Sequence, residues 1–204
     1  MNLVVLGRPG SGKGTQATRL AAALELELIA TSALLLRVAA TETPTGKAVQ
    51  AAMTGGRLVD DALVSAVVGD AVRAASRGVL LEGFPRTVAQ CEALPAVVAP
   101  DAALEIDVPA ADIIQRLRQR LVCSRCGDVG TVEDGPTCAA CGSLRVRRSD
   151  DDDDVVQRRL WIYERDTAPV ATWFERRDLL VRVDGRGSVD DVAARLLDAV
   201  SSRM

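Results

Sequence analysis

The feature that most constrains this chain is a glycine-rich loop that follows a short apolar run near the N-terminus. Residues 3–6 (Leu-Val-Val-Leu) lead directly into residues 7–15 (Gly-Arg-Pro-Gly-Ser-Gly-Lys-Gly-Thr). Glycines let several backbone N–H groups face one concavity, and the N-terminus of a following helix adds positive potential. The succession of strand, loop and helix predicts a phosphate-binding loop. The alternative is a glycine-rich turn without a ligand.

The candidate phosphate-binding residues are consecutive, and Lys13 is the one that reaches the β- and γ-phosphates as a mobile charge. The usual pattern places Ser or Thr directly after this lysine as a Mg²⁺ ligand. Here Gly14 holds that position and Thr15 follows. We therefore expect Thr15 to contact phosphate. The candidates are Gly10, Ser11, Gly12, Lys13, Gly14 and Thr15.

Apolar runs alternate with helical patterns along the rest of the chain. Near-continuous apolar runs suit strands that are buried on both faces of a parallel sheet. The alternation predicts an α/β fold with a five-stranded parallel sheet flanked by helices. Strands are predicted at 3–6, 26–29, 79–81, 103–108 and 179–183, and helices at 13–24, 31–40, 61–76, 87–99, 110–120, 150–177 (interrupted near Pro169) and 188–202.

Composition excludes several functional classes. The 204 residues are 48% hydrophobic and only 2% aromatic, so one packed domain must be built from Ala, Val and Leu. The chain has no histidine, which excludes histidine-based triads, bases and metal sites. A net charge of −3 argues against nucleic acid or an anionic membrane as partner. No 18-residue apolar run and no secretory signal pattern are present, so we expect a cytoplasmic protein.

Two cysteine pairs interrupt the α/β pattern. Cys123 and Cys126 form one Cys-x-x-Cys knuckle, Cys138 and Cys141 form another, and eleven residues separate them. Each knuckle can place two thiolates on one tetrahedral metal, so we predict a closed structural Zn²⁺ site in this segment. Two disulfides or idle thiols are the alternative. Cys91 lies apart and is predicted to be a core residue of a helix.

Two separated motifs, Gly12-Lys13-Gly14-Thr15-Gln16 and Gly83-Phe84-Pro85-Arg86-Thr87, resemble the adenylate kinase family. The likeness covers nearly the whole chain. It implies reversible phosphoryl transfer, ATP + AMP giving two ADP, with Mg²⁺, by a cytoplasmic monomer. It also implies three parts: a phosphate-loop core (1–29, 60–120 and 149–204), a monophosphate-binding segment (30–59) and a lid (121–148). Some members carry a similar zinc-bearing lid.

The resemblance assigns one group of residues to AMP. Thr31 and Gln90 would lie at the base, the backbone around Arg57, Leu58 and Val59 would line the base pocket, and the remaining residues would contact AMP, chiefly at its phosphate. Each has a plainer interpretation, since Thr31 also suits a helix N-cap and Phe84-Pro85 a rigid turn. The remaining residues are Arg37, Gly83, Arg86, Arg148 and Arg159.

A second group is assigned to ATP and to the transferred phosphate. Arg116 and Arg120 are four residues apart, which predicts one helix face, and the resemblance places both at ATP. Arg148 and Arg159 are eleven apart, about three turns, and would point the same way if a helix begins near Ser149. The resemblance makes this pair clamp the phosphates in the closed state. The plainer alternative is a set of surface arginines.

Several positions depart from the family pattern. Ser32, Ala33 and Leu34 stand where the family has an acidic residue, with an apparent one-residue insertion. Glu82 replaces the aspartate that helps hold Mg²⁺ through its waters. Val129 lies near the place where an aromatic residue often packs on the ATP base, Leu121 replaces an arginine, and a carbonyl of Arg186 or Gly187 would meet the ATP amino group. These departures leave two alternatives: a kinase for another nucleoside monophosphate, or a non-catalytic nucleotide-binding zinc-ribbon module.

Overall fold

Five short apolar segments form the parallel sheet that the sequence predicts. The computed structural model describes residues 1–203, except for the side chain of Ser149. The strands are β1 (Leu3–Leu6), β2 (Glu27–Ala30), β3 (Val79–Glu82), β4 (Ala102–Asp107) and β8 (Leu180–Asp184). Their order is β2-β3-β1-β4-β8, and every neighbouring pair is parallel. The strand that carries the glycine-rich loop is therefore central.

Both faces of this sheet are buried, as its continuous apolar strands require. Because side chains alternate along a strand, Leu3 and Val5 belong to one apolar cluster and Val4 and Leu6 to the cluster on the other face. Helices cover both faces. They are α1 (Lys13–Ala23), α2 (Thr31–Ala39), α3 (Pro44–Thr54), α4 (Asp61–Ala74), α5 (Val88–Val97), α6 (Ala110–Gln119), α7 (Asp153–Ile162), α8 (Ala168–Glu175) and α9 (Val189–Ser201).

Helix α3 is an element that hydrophobic periodicity did not reveal. Its start has a local signal: the Thr43 side chain accepts a hydrogen bond from the Gly46 N–H (3.0 Å), and Pro44 occupies the first turn. Threonine at an N-cap followed by proline is a strong start signal. A Thr-Pro pair in the segment 30–59 could therefore have located this helix.

The long helix predicted over 150–177 is divided in the structure. A 3₁₀ turn (Ser149–Asp151) precedes α7, and a π-helical turn (Tyr163–Thr167) joins α7 to α8. Pro169 is the second residue of α8 and follows the π-helical turn directly, so its missing N–H falls where the helical hydrogen-bond pattern changes. The predicted break near Pro169 is confirmed, and it takes the form of a π-helical turn.

The cysteine segment forms a separate small sheet. Its strands are β5 (Arg120–Cys123), β6 (Val129–Thr131) and β7 (Arg145–Val146), antiparallel in the order β6-β5-β7. Within residues 1–203, none of the helices has the length and apolar character needed to cross a membrane. Cys91 is buried in α5, as predicted.

Candidate active site

A large cavity opens where the strands of the parallel sheet end. Ligands of open α/β sheets bind at these carboxyl ends. The cavity volume is about 1160 Å³, above the roughly 300–1,000 Å³ of a typical single-ligand site. Its wall includes most of the predicted residues: Gly10, Ser11, Gly12, Lys13, Gly14, Thr15, Thr31, Arg57, Leu58, Val59, Glu82, Gly83, Arg86, Gln90, Arg116, Arg120, Val129, Arg148, Arg159 and Gly187.

The glycine-rich loop has the shape of an anion cradle. Gly10 and Gly12 have φ of 84° and 94°, a region in which side chains with a Cβ are strained. A Cβ on Gly10 would also stand 2.8 Å from Cγ of Leu117. The α1 N-terminus follows directly at Lys13, so its unpaired N–H groups open towards the cavity. The strand, loop and helix succession predicted from the sequence is confirmed.

Lys13 lies across this loop and has no anionic hydrogen-bond partner within the described residues. Its Nζ donates to the carbonyl oxygens of Gly7 (2.6 Å) and Arg8 (2.7 Å). Although part of its surface meets solvent, burial of the ammonium lowers its pKa to about 7. Glu82 opposes this shift, while nearby guanidinium groups, that of Arg86 first, add to it. A phosphate in the loop would restore an ordinary charged lysine.

Three buried polar atoms on the cavity wall have no hydrogen-bond partner among residues 1–203. They are Ser11 Oγ, Gln16 Oε1 and Thr31 Oγ1. The other end of the Gln16 amide is engaged, since its Nε2 donates to the Val189 carbonyl (2.9 Å). Buried polar atoms without partners are rare in folded proteins, so this wall is suited to a ligand that carries donors and acceptors.

Three arginines meet two aspartates on the opposite wall, and we call Arg120, Arg148 and Arg159 the arginine cluster. Nε of Arg120 donates to Asp151 (2.8 Å), and two guanidinium nitrogens of Arg148 donate to Asp150 (both 2.7 Å). Arg159 contacts both carboxylates, at 3.1 and 3.5 Å. The structure brings the three arginines together around an internal pair of negative charges.

Burial and pairing change the pKa values in this cluster. Burial tends to raise the pKa of Asp150, but the hydrogen bond from Arg148 and the charge of Arg159 outweigh it and lower that pKa. Burial lowers the pKa of Arg159. Asp150 therefore stays ionised at neutral pH, where it pairs with Arg148 and Arg159.

The helical arguments that grouped these arginines are wrong. Helix α6 ends at Gln119, and Arg120 is the first residue of β5, so it does not share a helix face with Arg116. Arg148 precedes α7 in extended backbone, so no single helix joins it to Arg159. The side chains converge because both contact Asp150.

Several of the predicted AMP residues lie on the part of the cavity wall that follows β3. Nε of Arg86 donates to the Gly83 carbonyl (2.9 Å), and Gly83 has φ 82°. Gln90 is 2% exposed and its amide is held by Arg86 and Asp61. Arg37 is exposed on α2 and is not on the cavity wall, so its contact with AMP stays a prediction.

The predicted ATP-base end lies near the loop that follows β8. Nη2 of Arg116 donates to the Gly185 carbonyl (2.9 Å), which brings α6 to this loop. The carbonyl of Arg186 accepts from Arg195 (2.8 Å), whereas Gly187 lines the cavity with φ 97°. Arg186 is outside the cavity wall, and its side chain pairs with Asp184. Val129, the first residue of β6, is 49% exposed and also lines the cavity.

The four lid cysteines converge on one point. Their Sγ atoms all lie within 4.8 Å of one another, with Cys123 to Cys141 at 3.5 Å and Cys126 to Cys138 at 3.6 Å. Four thiolates that each bind one zinc at about 2.3 Å stand about 3.8 Å apart in a tetrahedron. These separations fit a tetrahedral Cys₄ site and far exceed the roughly 2.05 Å of a disulfide bond. Idle thiols remain the open alternative.

Glycines shape both knuckles of this cluster. Gly127 and Gly142 follow the second cysteine of each pair, with φ of 75° and 72°. Arg145 closes the segment beneath them: its Nη2 donates to Asp128 (3.0 Å) and its Nη1 to the Thr137 carbonyl (3.2 Å). The donor set and the turns therefore suit a structural metal.

The sequence did not reveal one contact behind the cavity wall, which Asp61 makes to the wall residue Gln90. Asp61 touches Gln90 and Thr87. Asp60 and Asp61 together resemble an ordinary acidic start of a helix, and Asp60 does cap α4 by accepting from the Leu63 N–H (3.0 Å). No pattern distinguishes the two, because the partners of Asp61 lie more than 25 residues away in sequence.

Comparisons with known proteins agree with this site. The family model described as adenylate kinase matches residues 5–179. Relatives named adenylate kinase include those of Thermodesulfovibrio yellowstonii (37% identical, covering 94% of this chain and 95% of the relative), Novosphingobium aromaticivorans (36%, covering all of both) and Paramagnetospirillum magneticum (38%, covering 96% of each). These matches do not favour another acceptor or a non-catalytic module. A matching family model over most of the chain and full-length relatives above 30% identity place this protein in the adenylate kinase family.

Proposed function

We propose that this adenylate kinase family member transfers the terminal phosphoryl group of ATP to AMP within the single cavity described above. The supporting observation is that the glycine-rich loop, the predicted AMP residues other than Arg37, and the arginine cluster all line this one space. Phosphoryl transfer needs positioning and charge stabilisation more than covalent chemistry. A chain without histidine therefore has the groups that it needs.

ATP binds with its phosphates in the glycine-rich loop. The N-terminus of α1 and the Gly10–Thr15 backbone surround the β-phosphate, and Lys13 leaves the Gly7 and Arg8 carbonyls to meet phosphate oxygens. The base lies near Arg116 and Val129, and the Gly187 carbonyl accepts from its amino group. We favour Gly187 over Arg186 because the Arg186 carbonyl is bonded to Arg195.

AMP binds opposite, with its base at Thr31, Gln90 and the backbone of residues 57–59. Thr31 Oγ1 is buried and lacks a partner within the described chain, so a base nitrogen can complete its hydrogen bonding. Arg86 reaches the phosphate from the end of β3, next to Gly83. Arg37 joins it only if α2 moves, since it is exposed outside the cavity here.

The arginine cluster stabilises the phosphoryl group during its transfer from ATP to AMP. Arg120, Arg148 and Arg159 exchange Asp150 and Asp151 for phosphate oxygens when the lid (121–148) closes over both nucleotides. Closure excludes water, which would otherwise accept the phosphoryl group. Mg²⁺ supplied with ATP would neutralise phosphate charge, and Glu82 on the cavity wall is the residue that we assign to its hydration shell, while Thr15 contacts phosphate.

The lid cysteines hold a structural Zn²⁺ without an open coordination position. The segment is too small for a core of its own, and a metal that binds only the folded form stabilises it. The Cys₄ donor set takes no part in transfer.

We expect one zinc per chain by elemental analysis of protein purified without chelator. Removal of zinc should lower the unfolding temperature while the transfer reaction persists as long as the fold does. Stoichiometric free thiols without metal would contradict this assignment.

A panel of acceptors tests the reaction. ATP and Mg²⁺ are supplied with AMP, CMP, UMP or dUMP, GTP replaces ATP as donor in a parallel series, and diphosphate products are read directly. We expect two ADP from ATP and AMP, with the other acceptors far slower. Folded, zinc-loaded protein that yields no ADP from AMP would overturn the proposal. Sedimentation of the same sample tests the predicted monomer.

A further inference from the structure

Both polar atoms of the Gln90 side-chain amide are hydrogen-bonded, the oxygen to a donor and the nitrogen to an acceptor. Its Oε1 accepts from the Arg86 backbone N–H (2.7 Å), and its Nε2 donates to Oδ1 of Asp61 (2.7 Å). The other oxygen of Asp61 accepts from the Thr87 hydroxyl (2.8 Å), and Thr87 in turn accepts from the Gln90 N–H (3.1 Å). The side chain of Gln90 is therefore fixed by a closed network.

This network permits only one orientation of the amide. An ionised carboxylate only accepts hydrogen bonds, and a backbone N–H only donates. Rotation of the Gln90 amide by half a turn would set its oxygen against the Asp61 carboxylate and its NH₂ against the Arg86 N–H. Both contacts would become repulsive, and two buried groups would lose their partners. Asp61 and Arg86 thus specify which atom of the amide lies on which side.

The fixed amide retains one donor and one acceptor for a ligand. Nε2 has two hydrogens, of which Asp61 takes one, and Oε1 has two lone pairs, of which the Arg86 N–H takes one. Gln90 lines the cavity despite its burial. An adenine edge offers an acceptor at N1 next to a donor at N6, which matches this remaining pair. A hypoxanthine edge offers a donor at N1 next to an acceptor at O6, which does not.

We infer that Asp61 is a positioning residue that makes the acceptor site select a 6-amino purine over a 6-oxo purine, by fixing the orientation of the Gln90 amide. The inference rests on the proposed function, in which Gln90 contacts the AMP base. Asp61 itself does not need to touch the nucleotide. Binding of a 6-oxo purine with two hydrogen bonds would require the rotated amide, which the Asp61 carboxylate opposes.

The test compares AMP with IMP, which differ at this edge and share the remaining purine atoms. Asp61→Asn keeps the shape but can present either a carbonyl or an NH₂ group to Gln90, so rotation becomes easier. We expect the ratio of kcat/KM for AMP to that for IMP to fall about tenfold, since a charged hydrogen bond is roughly twice as strong as a neutral one. KM for ATP should stay unchanged.

The neighbouring Asp60→Asn is the matched control. It removes the same charge from the same helix terminus, but Asp60 bonds the Leu63 N–H and none of the described atoms of Gln90. We expect its AMP/IMP ratio to equal that of the parent protein. If Asp61→Asn does not fold, Asp61→Ser, which suits a first helical turn, carries the same measurement.

Gln90→Leu separates this inference from the proposed function. If Gln90→Leu abolishes AMP/IMP selectivity and Asp61→Asn has no additional effect in that background, Asp61 acts through Gln90 as inferred. Suppose that Gln90→Leu abolishes selectivity but Asp61→Asn leaves the AMP/IMP ratio unchanged, or lowers kcat/KM for both substrates equally. The inference about Asp61 is then wrong, while the proposed function stands. If Gln90→Leu leaves selectivity intact, the assignment of Gln90 to the base is wrong and the inference fails with it.

Discussion

The cavity has two walls that present groups suited to anions, and these walls are built by opposite means. The glycine-rich loop consists of backbone N–H groups at the start of α1, and its shape depends on glycines with positive φ. The arginine cluster consists of long side chains, and Asp150 and Asp151 already occupy its guanidinium groups. The backbone conformation of the glycine-rich wall already has the shape that a phosphate needs. The other wall is held by internal carboxylates that a phosphate must displace.

This difference indicates how the two walls divide the work. A backbone cradle binds phosphate in the ground state at little cost, because no carboxylate has to leave it and only Lys13 changes its hydrogen-bond partners. In the proposed function the arginine cluster binds phosphate only after its carboxylates have moved, so we expect its full strength only when the lid is closed. Interactions that form mainly in the transition state raise kcat rather than lower KM. We therefore expect substitutions in the two walls to separate these parameters.

Arg120→Ala should have the largest effect. Loss of an arginine that stabilises a phosphoryl group in transfer costs about 10³-fold or more in kcat, and we expect KM for ATP to change only a few-fold. Steady-state kinetics at saturating AMP gives both values. Arg159→Ala should behave in the same way, since both arginines share Asp151.

Arg118→Ala is the matched control for this prediction. Arg118 lies two residues before Arg120, is exposed and pairs with the exposed Asp153. Its loss should leave kcat within about twofold, because exposed pairs contribute little. A large rise in KM with intact kcat in Arg120→Ala would instead place Arg120 among ground-state contacts, and the contrast between the two walls would disappear.

Asp151→Asn should have a smaller effect than Arg120→Ala. It should strengthen nucleotide binding, whereas Arg120→Ala lowers kcat. The Asp151 side chain is fully buried, and the NH₂ group of asparagine would face the donors of Arg120. We expect a loss of stability of about 1–3 kcal/mol from this unmatched contact, measured by urea unfolding without nucleotide. Affinity for ADP should rise, because the arginines no longer exchange a carboxylate for phosphate.

Asp153→Asn removes a carboxylate from the first turn of α7 and serves as the control. Asp153 is 64% exposed and bonds only weakly to Arg118, at 3.3 Å. We expect neither stability nor ADP affinity to change measurably. If Asp151→Asn lowers ADP affinity, the aspartates support nucleotide binding, and the view that they occupy a site meant for phosphate is wrong.

The same contrast explains what the sequence could predict. The glycine-rich wall was predictable because its residues are consecutive and local backbone chemistry determines their shape. All five core strands were located within about one residue, since apolar runs identify strands buried on both faces. The cysteine cluster was predictable for a similar reason, as each knuckle is a local turn.

The sequence predicted which arginines form the arginine cluster, but it did not predict the contacts that bring them together. Spacing along an assumed helix grouped Arg116 with Arg120, yet the chain leaves the helix at Gln119. Arg148 and Arg159 meet through Asp150, which is a tertiary contact that no periodicity contains. The role of Asp61 was hidden in the same way, because its partners follow a different strand. Side-chain networks depend on the fold, and only the fold reveals them.

The smallest predicted effect is the uptake of a proton by Lys13, in the glycine-rich wall, when a nucleotide binds. Burial lowers the pKa of Lys13 to about 7 in the empty protein, and phosphates that bind beside it should raise that pKa. At pH 8 nucleotide binding should therefore take up most of one proton, and at pH 6 much less, as the ionisation of one group with a pKa near 7 requires. Calorimetric titration with Mg-ADP in two buffers of different ionisation enthalpy measures this uptake.

Lys13→Met supplies the reference, because it keeps the length of the side chain and cannot bind a proton. The difference between the two proteins isolates Lys13 from protons taken up by the nucleotide. Pairing with arginine lowers the pKa of Asp150, so exchange at the other wall should add no proton from this carboxyl group. An equal uptake in both proteins at pH 8 would show that Lys13 is already charged before phosphate arrives. The backbone wall would then hold a permanent cation, and its readiness for phosphate would rest on charge as well as on shape.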